Sequence, residues 1–228
     1  MVNNYILCIE TSTEVCSVAI STPSACLAEK SIAEPNVHGT LLTVLIEDIL
    51  KENQLSFHDL SAVAYSNGPG SYTGLRIGLS VAKGICYGLN IPLIAIPTLQ
   101  HIAAANTVKG ALCFPMLDAR RMEVYAALLD EELDFITEPF ACIVDTYDWT
   151  MLPPNKKICF AGNGVAKSKS ILQHIPNAYL AEEYVISARS IGPLAQQKLQ
   201  QKQFADLAYH VPFYLKEAHV TVAKKKIL

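Results

Sequence analysis

Short apolar runs alternate with two long apolar helices in the first half of the chain. Tyr5 to Ile9 reads as a buried strand, Glu10-Thr11-Ser12-Thr13-Glu14 as a polar hairpin tip, and Val15 to Ile20 as a second strand. A third strand is expected near Ala25 to Ile32, and Pro35-Asn36 breaks the chain. Leu41, Leu42, Leu45, Ile46 and Ile49 recur at helical spacing and predict a helix over Gly39 to Glu52. Leu60 to Tyr65 is a buried strand that runs into the glycine-rich stretch Asn67 to Gly74. A second helix is expected over Leu75 to Leu89, a short strand over Pro92 to Ile96, and a helix capped by Thr98 up to Thr107.

A second half begins near Ala111. Ala111 to Asp118 reads as a strand with Glu123 to Leu129 as its hairpin partner, and Asp145 to Pro154 as turn-rich. Lys157 to Ala161 is a strand ending in Gly162-Asn163-Gly164, and Val165 to His174 is a helix. Another helix follows over Ser190 to Gln203 with Ser190 as its cap. Val211 to Lys216 is extended, ahead of a basic tail. A strand meander followed by alternating helix and strand implies an α/β protein with mixed sheets.

Both long helices carry more apolar surface than one sheet can cover. On a wheel, the apolar arc of the first spans about 240° and that of the second about 220°, against about 100° for a helix covered on one side. Arg76, Ser80, Lys83 and Tyr87 form the one narrow polar stripe of the second helix. The remaining surface is covered either by the same chain or by another subunit. Gly74, Gly78 and Ala82 form a small-residue ridge that permits close helix approach. On the subunit reading, Gly78→Arg or Leu45→Glu breaks association.

Composition narrows the chemistry. The 228 residues are 51% hydrophobic and 17% charged, which excludes a disordered chain. A formal net charge of -3 and a pI near 6.1 argue against a protein that grips nucleic acid alone. The mean hydropathy of +0.25 fits a large core or an apolar docking face. No apolar run approaches the roughly 20 residues of a membrane helix, and the N-terminus lacks the basic start of a signal peptide. A cytoplasmic location is expected, with the seven scattered cysteines as reduced thiols.

Motif searches are mostly negative. Asn67 to Gly74 lacks the Lys-Ser or Lys-Thr of a P-loop; it is either a tight turn or an anion site at a helix start. Gly162 to Ser168 carries Lys-Ser, but Ala166 stands where a P-loop needs glycine. The six histidines include no i, i+4 pair, so no metal site is expected. His38 reads as a solvated residue before the first helix. Asp118 ends a strand and either binds a metal-nucleotide or pairs with an arginine.

Five segments carry a family resemblance. I-L-C-I-E-T-S-T-E-V-C-S-V-A-I at Ile6 to Ile20 and S-N-G-P-G-S-Y-T-G-L-R-I-G-L-S-V-A-K-G at Ser66 to Gly84 resemble the TsaB (YeaZ) family. L-D-A-R-R-M-E-V-Y at Leu117 to Tyr125 follows in the same order, as do G-N-G at Gly162 and P-F-Y-L-K at Pro212. The resemblance implies the actin/sugar-kinase/Hsp70-like (ASKHA) fold, with one lobe over 1–106 and a second over 107–228 whose last residues return to the first. It also implies a non-catalytic subunit for N6-threonylcarbamoylation of adenosine in tRNAs that read codons starting with A. Such a subunit binds the catalytic paralogue TsaD and, with it, the ATPase TsaE. It forms a homodimer when alone and meets tRNA only through the complex.

The resemblance places the partner or dimer interface on His38, Leu41, Leu42, Leu45, Ile49, Leu75, Arg76, Gly78, Leu79, Val81, Ala82 and Ile85. Candidate nucleotide contacts are Glu10, Thr11, Ser12, Thr13, Asp118, Gly162, Asn163 and Gly164. No cofactor of its own is expected; ATP or ADP belongs at the complex interface. Glu10 stands where nucleotide-binding members of the fold carry Asp. One extra methylene would move a metal-bound water by about 1.5 Å, which argues against autonomous ATP hydrolysis. The alternative is a stand-alone ATPase or small-molecule kinase of the same fold.

Overall fold

The computed structural model describes residues 4–34, 37–181 and 186–216. The Pro35-Asn36 break and the basic tail beyond Lys216 lie outside the described residues. Ten strands form two five-stranded sheets. The first contains β1 (Tyr5–Glu10), β2 (Val15–Ser21), β3 (Cys26–Ala33), β4 (Leu60–Ser66) and β5 (Leu93–Ile96), in the order β3-β2-β1-β4-β5. The second contains β6 (Ala111–Asp118), β7 (Glu123–Ala126), β8 (Phe140–Ile143), β9 (Lys157–Ala161) and β10 (Ala178–Leu180), in the order β8-β7-β6-β9-β10.

The sheets share one topology. In each, the first three strands form an antiparallel meander, and the last two add in parallel on the other side of the first strand. Glu10 at the end of β1 and Asp118 at the end of β6 therefore occupy equivalent places. So do the glycine turns after β4 and β9.

Helices α1 (His38–Glu52) and α2 (Tyr72–Leu89) cover one face of the first sheet, and α4 (Val165–Leu172) packs beside the second. The helices that follow each sheet are exchanged. α3 (Thr98–Ala105) follows the first sheet but packs on β6, and α5 (Ile191–Gln200) follows the second but packs on β1, β4 and β5. Residues 188–195 thus belong to the core of the first lobe, across the boundary expected at 106/107.

Element ends differ from expectation for local reasons. α2 begins three residues early because Ser71 caps it, its Oγ accepting from Gly74 N at 3.2 Å. Thr98 is not a cap: its Oγ1 accepts from Gly68 N at 3.0 Å, tying the glycine turn to α3. Ser190 stands at the N-cap position of α5 as expected, but its side chain does not cap the helix, because its hydroxyl donates to Ser187 O and meets His101. The short edge strands β8 and β10 escaped the apolar pattern because their burial is mixed. The turn-rich stretch near Asp145 carries Tyr147 and Trp149, whose rings cover Phe114 and Phe160 in place of a helix.

Candidate functional site

A cleft of about 1460 Å³ opens between the lobes. Ser12, Thr13, the glycine turn and the start of α2 line one side; Asp118, Arg120, Arg121 and Asn163 line the other. Of the expected nucleotide contacts, Ser12, Thr13, Asp118 and Asn163 reach the cleft, whereas Glu10, Thr11, Gly162 and Gly164 do not.

Glu10 is wholly buried and turned away from the cleft. Its Oε1 accepts from Ser12 N and Ser12 Oγ, both at 2.5 Å, and its Oε2 lies 2.6 Å from His101 Nε2 on α3. His101 Nδ1 is 3.0 Å from Ser190 Oγ, which donates to Ser187 O at 2.8 Å. With that hydroxyl proton committed, Nδ1 is the donor to Ser190 Oγ, and Nε2 is the ring atom that faces the Glu10 carboxyl. Burial pushes the Glu10 carboxyl up, but the His101 charge and the hydrogen bonds from His101 and Ser12 outweigh it. The net effect holds the carboxyl below the usual range. The network sits where the exchanged helices cross, so it ties β1 to both of them.

Asp118 is also engaged. Lys167 Nζ donates to Asp118 Oδ1 at 2.5 Å, to Glu123 O at 2.6 Å and to Arg121 O at 2.8 Å. The lysine of the rejected P-loop thus turns back onto the β6 carboxylate. Asn163 Oδ1 accepts from Asp118 N at 2.8 Å, which pins the glycine turn to the strand end. Both strand-end carboxylates therefore have a basic side chain of the same chain as partner. No group of three metal-capable side chains occurs among the described residues.

The expected interface residues divide sharply. Leu42, Ile49, Leu75, Gly78 and Ala82 are buried in their own chain, with Leu45, Leu79 and His38 at most 7% exposed. In the isolated chain their side chains pack inward and offer little surface to a partner. Much of the surplus apolar surface is consumed where α1 and α2 pack together. The ridge of Gly74 and Gly78 faces the sheet: a Cβ at Gly74 would collide with Thr11 O, and one at Gly78 with Thr11 Oγ1. His38 is not solvated; its Nε2 lies 3.2 Å from Val15 O.

The outer face is different. Val44 is 47% exposed, and Leu41, Ile77, Val81 and Ile85 are half-buried. Beside them Ser80, Gly84 and Gly88 are exposed, and a Cβ at Gly84 or Gly88 would meet nothing within 4 Å. The small-residue ridge open to a neighbour is this one. Their four-residue spacing was visible in the sequence, but so was that of the buried ridge.

Arg76 and Lys83 do not stand free for a partner. Arg76 Nε donates to Tyr214 Oη at 3.3 Å, and Lys83 Nζ to Ala208 O at 3.1 Å. The C-terminal segment also places His210 Nε2 2.8 Å from Tyr65 Oη and 3.0 Å from Asn67 Oδ1. Burial and, next, the Lys83 charge hold this imidazole below its ordinary value, against the opposing pull of Asp206. Its folded value lies below the unfolded one. The docking it contributes is thus complete above about pH 6.5 and weakens as pH falls through the folded value. In a proton NMR titration, the His210 ring signal should show a midpoint below 6.5; a midpoint at or above that would contradict the burial seen here.

Comparison with known proteins bears on this geometry. Residues 32–224 match the family model described as TsaD, tRNA N6-adenosine threonylcarbamoyltransferase. The chain is 26% identical to the threonylcarbamoyladenosine biosynthesis protein TsaB of Bacillus subtilis over 220 residues, covering 93% of this chain and 94% of that one. The chain belongs to the TsaD-type family, as a TsaB (YeaZ) member. It is 37% identical to TsaB of Escherichia coli over 124 residues, 54% of this chain and about half (53%) of that relative's length. YeaZ from Pseudomonas aeruginosa superposes with a TM-score of 0.81 at 25% identity, covering 93% of this chain and all of that one. A dehydratase activator from Clostridium difficile with bound ADPNP shares the fold alone, at a TM-score of 0.52 and 10% identity. The TsaB/YeaZ match and these neighbours identify the two-lobed ASKHA-type fold.

Proposed function

We propose that this chain serves tRNA threonylcarbamoyladenosine biosynthesis as a non-catalytic subunit. It docks on a TsaD-like catalytic paralogue through the outer face of α1 and α2. A TsaE-like ATPase joins that assembly, and tRNA is reached only through it. In the cytoplasm and without TsaD, the same face pairs two copies of the chain. ATP or ADP belongs to the assembled interface.

The observation that carries this reading is where the two strand-end carboxylates stand: Glu10 is buried against His101, away from the cleft, and Asp118 is paired with Lys167. That arrangement favours a non-catalytic subunit over a kinase or ATPase of this fold. The names of the TsaB relatives supply the pathway. The formal net charge of -3 fits a subunit that leaves tRNA contact to others.

Size-exclusion chromatography with light scattering, alone and with the TsaD-like protein of the same organism, tests it. A dimer that converts to a one-to-one complex is expected. A dimer indifferent to TsaD, with ATP turnover by the isolated chain at millimolar ATP, would instead favour a stand-alone ATPase or kinase.

A further inference from the structure

The segment after α5 crosses back over the first lobe and ends on the second. Ala205 N donates to Leu93 O at 2.9 Å, which closes the β5 edge of the sheet. Phe213 N donates to Asn67 O at 2.7 Å, and Phe213 O fills the place a Cβ of Gly68 would take. Gly68 has φ +108°, so this position is closed to other residues both sterically and conformationally. Up to Phe213, then, backbone contacts and the half-buried His210 hold the segment.

Beyond Phe213 the attachment changes character. Tyr214 packs against Tyr72 with ring centroids 5.0 Å apart, and the Arg76 guanidinium lies 4.3 Å over the Tyr72 ring. Lys216 Nζ reaches Glu123 on β7 in the other lobe, 2.5 Å from each carboxylate oxygen. The ion pair is solvent-exposed, with Lys216 40% and Glu123 23% accessible. Exposed pairs of this kind are close to balance in water. Tyr214, Leu215 and Lys216 also line the cleft.

We infer that Tyr214–Lys216 is a latch across the mouth of the interlobe cleft, hinged at the fixed Phe213–Gly68 crossing. Closed, it joins the lobes through Lys216 and Glu123 and covers the Tyr72–Arg76 end of α2. Open, it frees that end of α2 and one wall of the cleft without unseating the rest of the strap. The state of the cleft is thereby coupled to the helix that carries the outer apolar face.

Nuclear Overhauser spectra of the full chain test this in the wild type, Lys216→Glu, and Lys216→Glu/Glu123→Lys. The Tyr72–Tyr214 ring cross-peak should be strong in the wild type and fall by about half or more in Lys216→Glu. It should return in the charge-exchanged double variant. Phe213 cross-peaks to Asn67 and Gly68 should persist in all three. An unchanged ring cross-peak in Lys216→Glu, or no recovery in the double variant, would overturn the latch. Loss of the Phe213 cross-peaks along with it would also do so, because the strap would then leave as one piece.

Discussion

His101→Leu should cost about 3–5 kcal/mol of stability, because it leaves the Glu10 carboxylate buried without its partner 2.6 Å away. For a chain of this size that is a fall in Tm on the order of 10 °C. Glu10→Leu/His101→Leu should recover most of the loss, since replacing both members of a buried pair by apolar groups is often near neutral. If the single variant melts within about 1 kcal/mol of wild type, the pair is not what joins β1 to the exchanged helices.

The same pair has a pH signature with a definite sign. The Glu10 carboxyl is held below its unfolded value by His101 and Ser12 despite its burial. Its stabilising contribution is present above the unfolded value, about 4.3, and is lost as pH falls through the folded one. Denaturant melts of wild type and Glu10→Gln should therefore converge on the acid side of pH 4 and separate above it. Parallel curves across that range would remove the assignment.

Gly84→Arg should reduce dimerisation and TsaD binding by at least about 100-fold while leaving the fold intact. Gly84 lies on the open face of α2, where a Cβ meets nothing. In an exposed helix interior, losing glycine stabilises by about 0.5–1 kcal/mol. A long charged side chain there would bury its guanidinium against an apolar partner face, which is strongly unfavourable. Light scattering reads the association, and a melting curve confirms the fold. Unchanged association would show that the α1–α2 face is not the docking surface.

Gly78→Arg, the obvious choice from the helix wheel, does not make this test. Its side chain would enter the space of Thr11 and Ile9 under the helix. Loss of binding in that variant would report only a broken core. Leu45→Glu fails for the same reason, because Leu45 belongs to the core of the first lobe.

Much of the fold was legible before any coordinates. The meander, the two long helices and the strand-turn-helix around Asn67 to Gly74 follow from apolar period and turn residues alone. That the chain forms two related lobes was legible only through the family resemblance, because the short edge strands β8 and β10 that complete the second sheet carry no clear apolar pattern. The expected sites were legible only in part. Asp118 and Asn163 do meet at the cleft, but Glu10 is buried away from it and most of the expected helix residues are buried in their own chain. His101 passed as one histidine among six because nothing in its neighbourhood marks it. Its partners are Glu10 and, 89 positions along the chain, Ser190.

By itself, then, the sequence determined the element types, their order, the surplus of apolar helix surface and the family. Those properties depend on local period, on turn chemistry and on motifs read in order. Only the tertiary structure decided which side of α2 is free, where the Glu10 carboxylate points and what the C-terminal segment covers. A helix wheel states how much surface is apolar but not which neighbour takes each part of it. On α2, the sheet takes Gly74 and Gly78, α1 and the core take part of Ile77 and Val81, and the strap takes Arg76 and Lys83. A carboxylate likewise turns toward the partner that packing delivers, and for Glu10 packing delivers His101 from the exchanged helix α3.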